Sequence, residues 1–245
     1  MDRITKFPLL DETGQEIVNS LEEINNSMGD YIAGINSYYA YLEDRKIGTL
    51  LSTEITKVRD YGLYERKSLI AIDLPKCVDV GEQSFFSCEA LSNVNLPKCM
   101  TIGMNAFSYC TALSNVNLPE CMTIGKLAFT SCEKLQNVNI PKCTIIKYGT
   151  FQYCNLLKKI DLNVVEKIEA NAFWNCKLLE CVKILNTETV CALADKDALS
   201  GTKIESGNGY IYVPDNLIER YKTATNWSVF VNQIKPLSEY VESEA

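Results

Sequence analysis

The fold is decided by the stretch from residue 91 to residue 112, which reads LSNVNLPKCMTIGMNAFSYCTA. The same pattern recurs every 22 residues from about residue 69 to residue 184. Three columns keep this period: Phe85, Phe107, Phe129, Phe151 and Phe173; Cys88, Cys110, Cys132, Cys154 and Cys176; Leu69, Leu91, Leu113, Leu135, Leu157 and Leu179. A fixed period of this length is typical of a solenoid, in which each repeat buries its apolar face against its neighbours.

One repeat contains a short strand, a bend and an aromatic residue that fills the core. Residues 93–96 read NVNL and alternate in polarity, as in a strand with one buried face. We expect the valine and the leucine to point inwards and the asparagines outwards. A proline ends each strand. A glycine follows in three repeats and is interpreted as the residue that allows the bend: Gly81, Gly103 and Gly125.

The chain has eleven cysteines, and their spacing favours a role in the core. Nine of them fall into two columns of the repeat: Cys77, Cys99, Cys121 and Cys143, and the series from Cys88 to Cys176. Neighbouring rungs of a stacked sheet lie about 4.8 Å apart, so distance alone permits disulfides. The odd total favours reduced thiols, which pack as small apolar side chains. Because the chain has no histidine and no CxxC motif, we expect no metal site and no cofactor.

The repeat resembles the BspA-like class of leucine-rich repeats, through the pattern L-x-x-[IV]-x-[LI]-P-x-C-x-x-I-G-x-x-[AST]-F-x-x-C-x-x-L. This class is known from gut and oral bacteria, their surface proteins and some prophages. The resemblance covers about residues 47–238, and residues 210–236 look like the closing element of such arrays. It implies an α/β fold, a leucine-rich-repeat solenoid with a parallel β-sheet on one face and short turns or helical turns on the other. It also implies adhesion or protein binding rather than catalysis.

The register of the repeat can be followed beyond its regular part. Residues 47–68 keep the spacing loosely, with Val58 and Leu63 in the columns of Val80 and Phe85. These residues are predicted to form the N-terminal edge coil. After Ile184 the register fades, and residues 197–201 echo the phenylalanine turn weakly. Such atypical ends are expected, since a stack must be capped against solvent.

Three parts of the chain are predicted. Residues 1–45 form an N-terminal helical segment, residues 46–238 form the solenoid with a C-terminal cap at about 195–238, and residues 239–245 form a tail. In the first part, apolar residues follow the a/d spacing of a heptad repeat: Ile17, Leu21, Ile24, Met28, Tyr31, Ile35, Tyr38 and Leu42. This spacing predicts either a coiled coil that joins chains into a homo-oligomer or two short helices that fold over the first repeat.

Charge and hydropathy disfavour some classes of binding partner and location. The net charge is −7 and no Lys/Arg cluster occurs, so binding to nucleic acid is disfavoured. No stretch is apolar enough to span a bilayer. The N-terminus lacks the apolar core of a signal peptide, which favours a cytoplasmic or phage-particle location, or a cell-surface location if a signal peptide has been removed. Residues 7–16 are also similar to the N-termini of prophage tail or baseplate proteins in gut Firmicutes.

The outward positions of the strands are the candidate binding surface, and no catalytic site is predicted. Without histidine, Ser-His and Cys-His systems are absent, and no phosphate-binding glycine motif occurs. Two columns of asparagine span three strands, and charged residues follow them; together they give the candidate ligand-binding residues: Asn93, Asn95, Asn115, Asn117, Asn137, Asn139, Lys159, Asp161 and Lys183. The asparagines either bind an extended peptide or a glycan, or bond one another as an amide ladder that stabilises the sheet. The charged residues interrupt the columns and are the better indicators of a ligand.

A second polar row is predicted on the opposite face: Ser87, Ser108, Tyr109, Thr130, Ser131, Gln152, Tyr153, Trp174 and Asn175. Its aromatic residues are either contact residues or partly buried beside the phenylalanines. Taken together, the sequence predicts a non-catalytic module that binds a protein or a glycan. Two alternatives stay open: a phage-derived tail or fibre protein with the solenoid as its receptor-binding tip, and a bacterial cell-surface adhesin.

Overall fold

The computed structural model describes residues 48–53 and 55–242. The heptad positions from Ile17 to Leu42 and the opening similar to prophage proteins lie outside the described residues. The described part is a stack of coils in which every strand pairing is parallel. This confirms the predicted leucine-rich-repeat solenoid.

The strands form two columns, and the first column continues for two strands beyond the end of the second. The first column contains β1 (Thr49–Leu51), β3 (Ala71–Asp73), β5 (Asn93–Asn95), β7 (Asn115–Asn117), β9 (Asn137–Asn139), β11 (Lys159–Leu162), β13 (Cys181–Ile184), β15 (Tyr210–Val213) and β16 (Ile234–Pro236). The second contains β2 (Lys57–Val58), β4 (Asp79–Val80), β6 (Thr101–Ile102), β8 (Thr123–Ile124), β10 (Ile145–Ile146), β12 (Lys167–Ile168) and β14 (Ala192–Leu193). Helices are short: α1 (Ile218–Thr223) and 3-10 turns at Lys196–Leu199, Asp215–Leu217, Ser228–Phe230 and Leu237–Glu239.

Both columns are interrupted as hydrogen-bonded sheets. In the first column the sheets are β1-β3-β5, β7-β9 and β11-β13-β15-β16. In the second they are β2-β4-β6-β8 and β10-β12-β14. We call the breaks in the first column, between β5 and β7 and between β9 and β11, the two seams of the sheet.

The centre of the stack is a column of aromatic rings. The five phenylalanines from Phe85 to Phe173 are at most 1% exposed. Successive ring centroids lie 5.0, 5.4, 5.7 and 5.7 Å apart, and the rings are within 9° of parallel. Buried Leu63 and Leu199 extend the column at its two ends. Each occupies the phenylalanine position of its coil, since Leu63 N donates to Ser84 O and Phe173 N donates to Ala198 O, as Phe85 N does to Ala106 O.

These positions confirm the register predicted for both irregular ends. Val58 pairs with Val80, as expected for the N-terminal edge coil. Residues 197–201 stack on the turn of Phe173, where Asn175 N donates to Ser200 O.

Turns, not helices, form the side opposite the first strand column. The residues two before and two after each phenylalanine have left-handed backbones, for example Gln83 (φ 51°) and Ser87 (φ 55°). This conformation aims their N–H groups at the next coil, where Gln83 N donates to Met104 O and Ser87 N donates to Ser108 O. Left-handed backbone costs a non-glycine residue about 1–2 kcal/mol, so the hydrogen bonds between coils must offset it.

The repeated glycines do not act as the sequence suggested. Gly81, Gly103 and Gly125 do not have positive φ angles, so no bend requires them. Instead, a Cβ at Gly103 would lie 2.5 Å from the carbonyl carbon of Gly81, and one at Gly125 would lie equally close to that of Gly103. The glycines therefore allow the backbones of adjacent coils to approach. At the fifth coil Lys147 takes this position, and there the second strand column is interrupted, between β8 and β10.

The cysteines of the repeat are free thiols in the core. They also donate hydrogen bonds, which the sequence did not indicate. Cys110 Sγ lies 3.2 Å from Phe85 O, and Cys99 Sγ lies 3.3 Å from Thr101 O, and both contacts recur along their columns. Each thiol thus partners a carbonyl oxygen as well as filling space.

At the C-terminal end of the second column, side chains of the cap make the hydrogen bonds that a further coil would have made. Along the second column, Ala192 N and Ala194 N, at β14 and directly after it, donate to Glu166 O and Ile168 O of the preceding coil. The equivalent acceptors of its own coil, Cys191 O and Leu193 O, have no following strand. Trp227 Nε1 donates to Cys191 O at 2.6 Å, and Asn226 Nδ2 donates to Leu193 O at 2.8 Å. The cap therefore satisfies the two carbonyls that another repeat would have satisfied.

Candidate functional site on the sheet face

The first strand column presents its polar side chains to solvent. The six asparagines of β5, β7 and β9 are exposed, whereas Val116 between two of them is 3% exposed. The predicted alternation is confirmed for these strands. Val94 and Val138, the inward residues of β5 and β9, are half-buried. Both strands border a seam, but so does β7, whose Val116 is buried, so the seam alone does not account for the difference.

The amide ladder exists, but only within hydrogen-bonded strands. Asn137 Nδ2 donates to Asn115 Oδ1 at 2.6 Å, and Asn139 Nδ2 donates to Asn117 Oδ1 at 2.7 Å. Asn95 Nδ2 donates to Asp73 Oδ1 at 2.6 Å in the same way. These contacts agree with the structural interpretation of the asparagine columns.

The ladder stops at both seams. Among the described residues, no side-chain hydrogen bond joins the asparagines of β5 to those of β7, or those of β9 to β11. The side chain of Asn93 makes no hydrogen bond to the described part of the chain, and within that part Asn137 Oδ1 and Asn139 Oδ1 accept none. Exposed amide groups at the seams thus keep donor and acceptor capacity for a ligand.

The charged candidates at the other end of the face are already paired. Lys183 Nζ lies 2.8 Å from Asp161 Oδ2 and 4.4 Å from the centroid of the Tyr240 ring. Lys159 Nζ lies 3.1 Å from Glu242 Oε1. The sequence indicates Lys159, Asp161 and Lys183 as ligand contacts, and in the structure all three have partners in the chain itself.

Two of these partners belong to the predicted tail. Residues 237–242, which we call the strap, follow β16 and lie against the sheet face. Ser238 N donates to Asp215 Oδ1 at 3.1 Å. The side chain of Ser238, and after it this backbone bond, lower the pKa of the Asp215 carboxyl. The ring of Tyr240 meets that of Tyr212 edge-on at 5.0 Å. The hydrogen bond from Lys159 lowers the pKa of the Glu242 carboxyl and raises that of the lysine.

The turn side differs in part from the prediction. Ser108 and Thr130 were expected to be exposed, but both are buried. Their hydroxyl groups donate to backbone oxygens of the next coil, at 2.5 Å to Leu127 O and 2.7 Å to Gly149 O. Tyr109 is 46% exposed.

The other two aromatic residues of the predicted row are half-buried and contact each other. Tyr153 and Trp174 meet edge-on at 4.9 Å. Phe86, which sequence reasoning passed over, stacks on Tyr64 at 5.1 Å and meets Tyr109 edge-on at 5.3 Å. Its position directly after the core phenylalanine was the available signal.

Within residues 48–53 and 55–242, no group of three potential metal ligands comes together. The same residues contain no helix with the length and apolar character of a membrane span.

Comparison with known proteins identifies the repeat. The model of the BspA type leucine-rich repeat region matches residues 56–180, with six copies. The chain belongs to this family. No curated protein sequence matches it. The BspA-type repeats therefore account for the strands and turns from β2 to the start of β13, and the assignment agrees with the resemblance seen in the sequence.

Several solved leucine-rich repeat proteins are similar to this chain. One from T. pallidum has a TM-score of 0.52 and 24% identity, over 57% of this chain and 72% of that one. One from Bacteroides ovatus has a TM-score of 0.49 and 24% identity, over 68% of this chain and 51% of that one. A leucine rich cell surface protein from Faecalibacterium prausnitzii has a TM-score of 0.46 and 19% identity, over 79% of this chain and 65% of that one. The match thus spans about half the length of the Bacteroides protein.

Proposed function

We propose that this BspA-type solenoid is a non-catalytic binding module that recognises a protein or glycan ligand through its sheet face. The proposed contact residues are the asparagines of β5, β7 and β9. The carrying observation is the unused hydrogen-bonding capacity at the two seams, which lie on exposed sheet surface. A side-chain amide offers two donors and an acceptor, which suit both the hydroxyl groups of a glycan and the backbone of an extended peptide.

The structural and the ligand-binding interpretations apply to different asparagines, and the seams separate the two groups. Asn115, Asn117, Asn137 and Asn139 bond one another, so they stabilise the pair of strands whether or not a ligand is present. Asn93 lacks such a bond and has no evident structural task. We therefore expect substitutions at Asn93 to affect binding more than stability.

The proposal is tested by comparing two variants on an array of glycans and immobilised proteins. The first carries Asn93→Ala, Asn117→Ala and Asn139→Ala on the sheet face. The control carries Lys126→Ala, Glu133→Ala and Lys134→Ala, which lie on exposed parts of the turn side. We expect array signals of the wild-type chain to survive in the control and to fall at least tenfold in the sheet-face variant. Signals lost only in the control would overturn the proposal.

The predicted heptads, which lie outside the described residues, carry a separate proposal that the chain is multivalent. Light scattering would compare the full chain with one that starts at Ile47. An oligomer that becomes a monomer on truncation would support a stalk, and a trimer would favour the phage-tip alternative. If both are monomers, the segment only caps the solenoid, and a signal-coding stretch upstream would favour the adhesin.

A further inference from the structure

The strap lies on the sheet face as a bound peptide would. Tyr240 has an extended backbone (φ −71°, ψ 122°), so alternate side chains beyond it point to the same side. Tyr240 and Glu242 contact the sheet, while Val241 between them is 83% exposed. The strap therefore presents to the sheet an aromatic residue and a carboxylate, which are separated by one residue that points to solvent.

The surface beneath the strap matches that pattern in chemistry and spacing. The side chains of Tyr212 and Lys183 hold the Tyr240 ring from its edge and its face, and Lys159 on a neighbouring strand holds the Glu242 carboxylate. Cation–π and charge-assisted contacts of this kind select for an aromatic ring and an anion. A neutral glycan would offer Lys159 no carboxylate.

The strap is bound weakly enough to exchange. None of the residues in its 3-10 turn is buried, and the Glu242 side chain is 76% exposed. Exposed ion pairs contribute little to stability, and segments with few buried apolar contacts open most readily. The strands beneath remain paired without it, since β15 bonds to both β13 and β16.

We propose that Lys159, Lys183 and Tyr212 form a peptide site for the pattern aromatic-x-acidic, and that the strap occupies this site in cis until a partner peptide of the same pattern displaces it. The inference deepens the proposed function, because it names the ligand class for one end of the same sheet face. It is separable from it, because the asparagines of β5 to β9 take no part.

The test uses the labelled peptide LSEYVESEA, which is residues 237–245, and the chain shortened to end at Glu239. The shortened chain keeps the bond between Ser238 and Asp215. We expect saturable binding of the peptide to the shortened chain, at least tenfold weaker binding to the full chain, and at least tenfold weaker binding when the peptide carries Tyr240→Ala or Glu242→Gln. Equal binding by both chains, or no binding by the shortened one, would overturn the inference.

A second measurement keeps the full chain and asks whether the strap is held by the lysine. A glutamate-specific protease cuts after Glu242, and we expect Lys159→Gln to accelerate this cut several-fold. Lys142→Gln is the matched control, because Lys142 pairs with Glu120 away from the strap. Equal rates in all three chains would show that the strap is not held at this site. Neither measurement affects array signals that depend on Asn93. The proposal of binding through the asparagines and the proposal of a peptide site under the strap can therefore fail separately.

Discussion

At the scale of single residues, Gly103 sets how closely two coils approach. A Cβ added there would lie 2.5 Å from Gly81 C and 2.6 Å from Glu82 N. Both atoms belong to the backbone and cannot rotate away, so the coils must separate. We expect Gly103→Ala to lower the free energy of unfolding by about 2 kcal/mol, the cost of local overpacking with a loosened ladder. Urea denaturation measures this change.

The control for Gly103 lies in the same column. Lys147 already carries a Cβ at the equivalent position, so Lys147→Ala should change stability by no more than about 0.5 kcal/mol. If Gly103→Ala were as mild as Lys147→Ala, the glycines would not act through close approach, and the explanation given for their column would be wrong.

At the scale of elements, side chains of the cap bond the carbonyl groups that a further strand would have bonded. Asn226 has a left-handed backbone (φ 62°), and its amide donates to Leu193 O and to Ala194 O. We expect Asn226→Gly to lose about 1–2 kcal/mol of stability, because the carbonyls lose their donor. Asn226→Ala should lose about 1 kcal/mol more, since alanine also disfavours this backbone. Thermal or urea unfolding gives both values.

The Asn226 variants are tested against a control variant. Asn208→Ala is the control, because Asn208 is an exposed asparagine that bonds only within its own turn. Should Asn226→Ala unfold at the same urea concentration as the Asn208 control, the amide would not be closing the end of β14.

At the scale of the whole molecule, the buried thiols make stability depend on alkaline pH. Burial raises the pKa of nine cysteines above the ordinary thiol value, to about 12 at Cys121 and Cys191 and further still at four others, Cys110 and Cys154 among them. Thiols in the unfolded chain titrate at about 8.5. Their contribution is therefore complete below that pH and is lost as the pH rises towards the folded values. Each thiol that ionises only on unfolding costs about 1.4 kcal/mol per pH unit.

Because several thiols act together, a rise of one or two units above pH 9 should exhaust the marginal stability of the fold. We expect the urea midpoint, measured with a reducing agent, to fall only slightly from pH 7 to 8 and steeply from pH 9 to 10. In the double variant Cys99→Ala, Cys121→Ala the free energy of unfolding should fall less steeply with pH, because about two fewer protons are released on unfolding. A midpoint that does not change between pH 8 and pH 10 would contradict this account.

The sequence predicted the features that repeat as side chains and missed those that depend on the backbone. Val58 and Leu63 could be placed because a core column requires an apolar residue at the same position in every coil. The left-handed positions are filled by Gln83, Asn105 and Leu127, which share no side-chain property, so no pattern marks them.

Two features of the candidate site were also beyond the sequence. The seam between β5 and β7 joins strands of identical sequence, and nothing in their residues explains it. The strap brings Glu242 to Lys159 across 83 residues, a contact that periodicity cannot indicate. It also gives partners within the chain to Lys159 and Lys183, two of the three charged residues that the sequence indicates as ligand contacts.

The central claim is that the sheet face binds, and the side-chain amides themselves report on it. A spectrum of the chain labelled with ¹⁵N at asparagine resolves the Nδ2 groups, which single Asn→Ser variants assign. On addition of the glycan or protein found on the array, we predict shifts of the Asn93, Asn117 and Asn139 signals, while Asn171 and Asn175 on the turn side stay fixed. Shifts confined to Asn171 and Asn175 would contradict the claim and place the ligand on the opposite face.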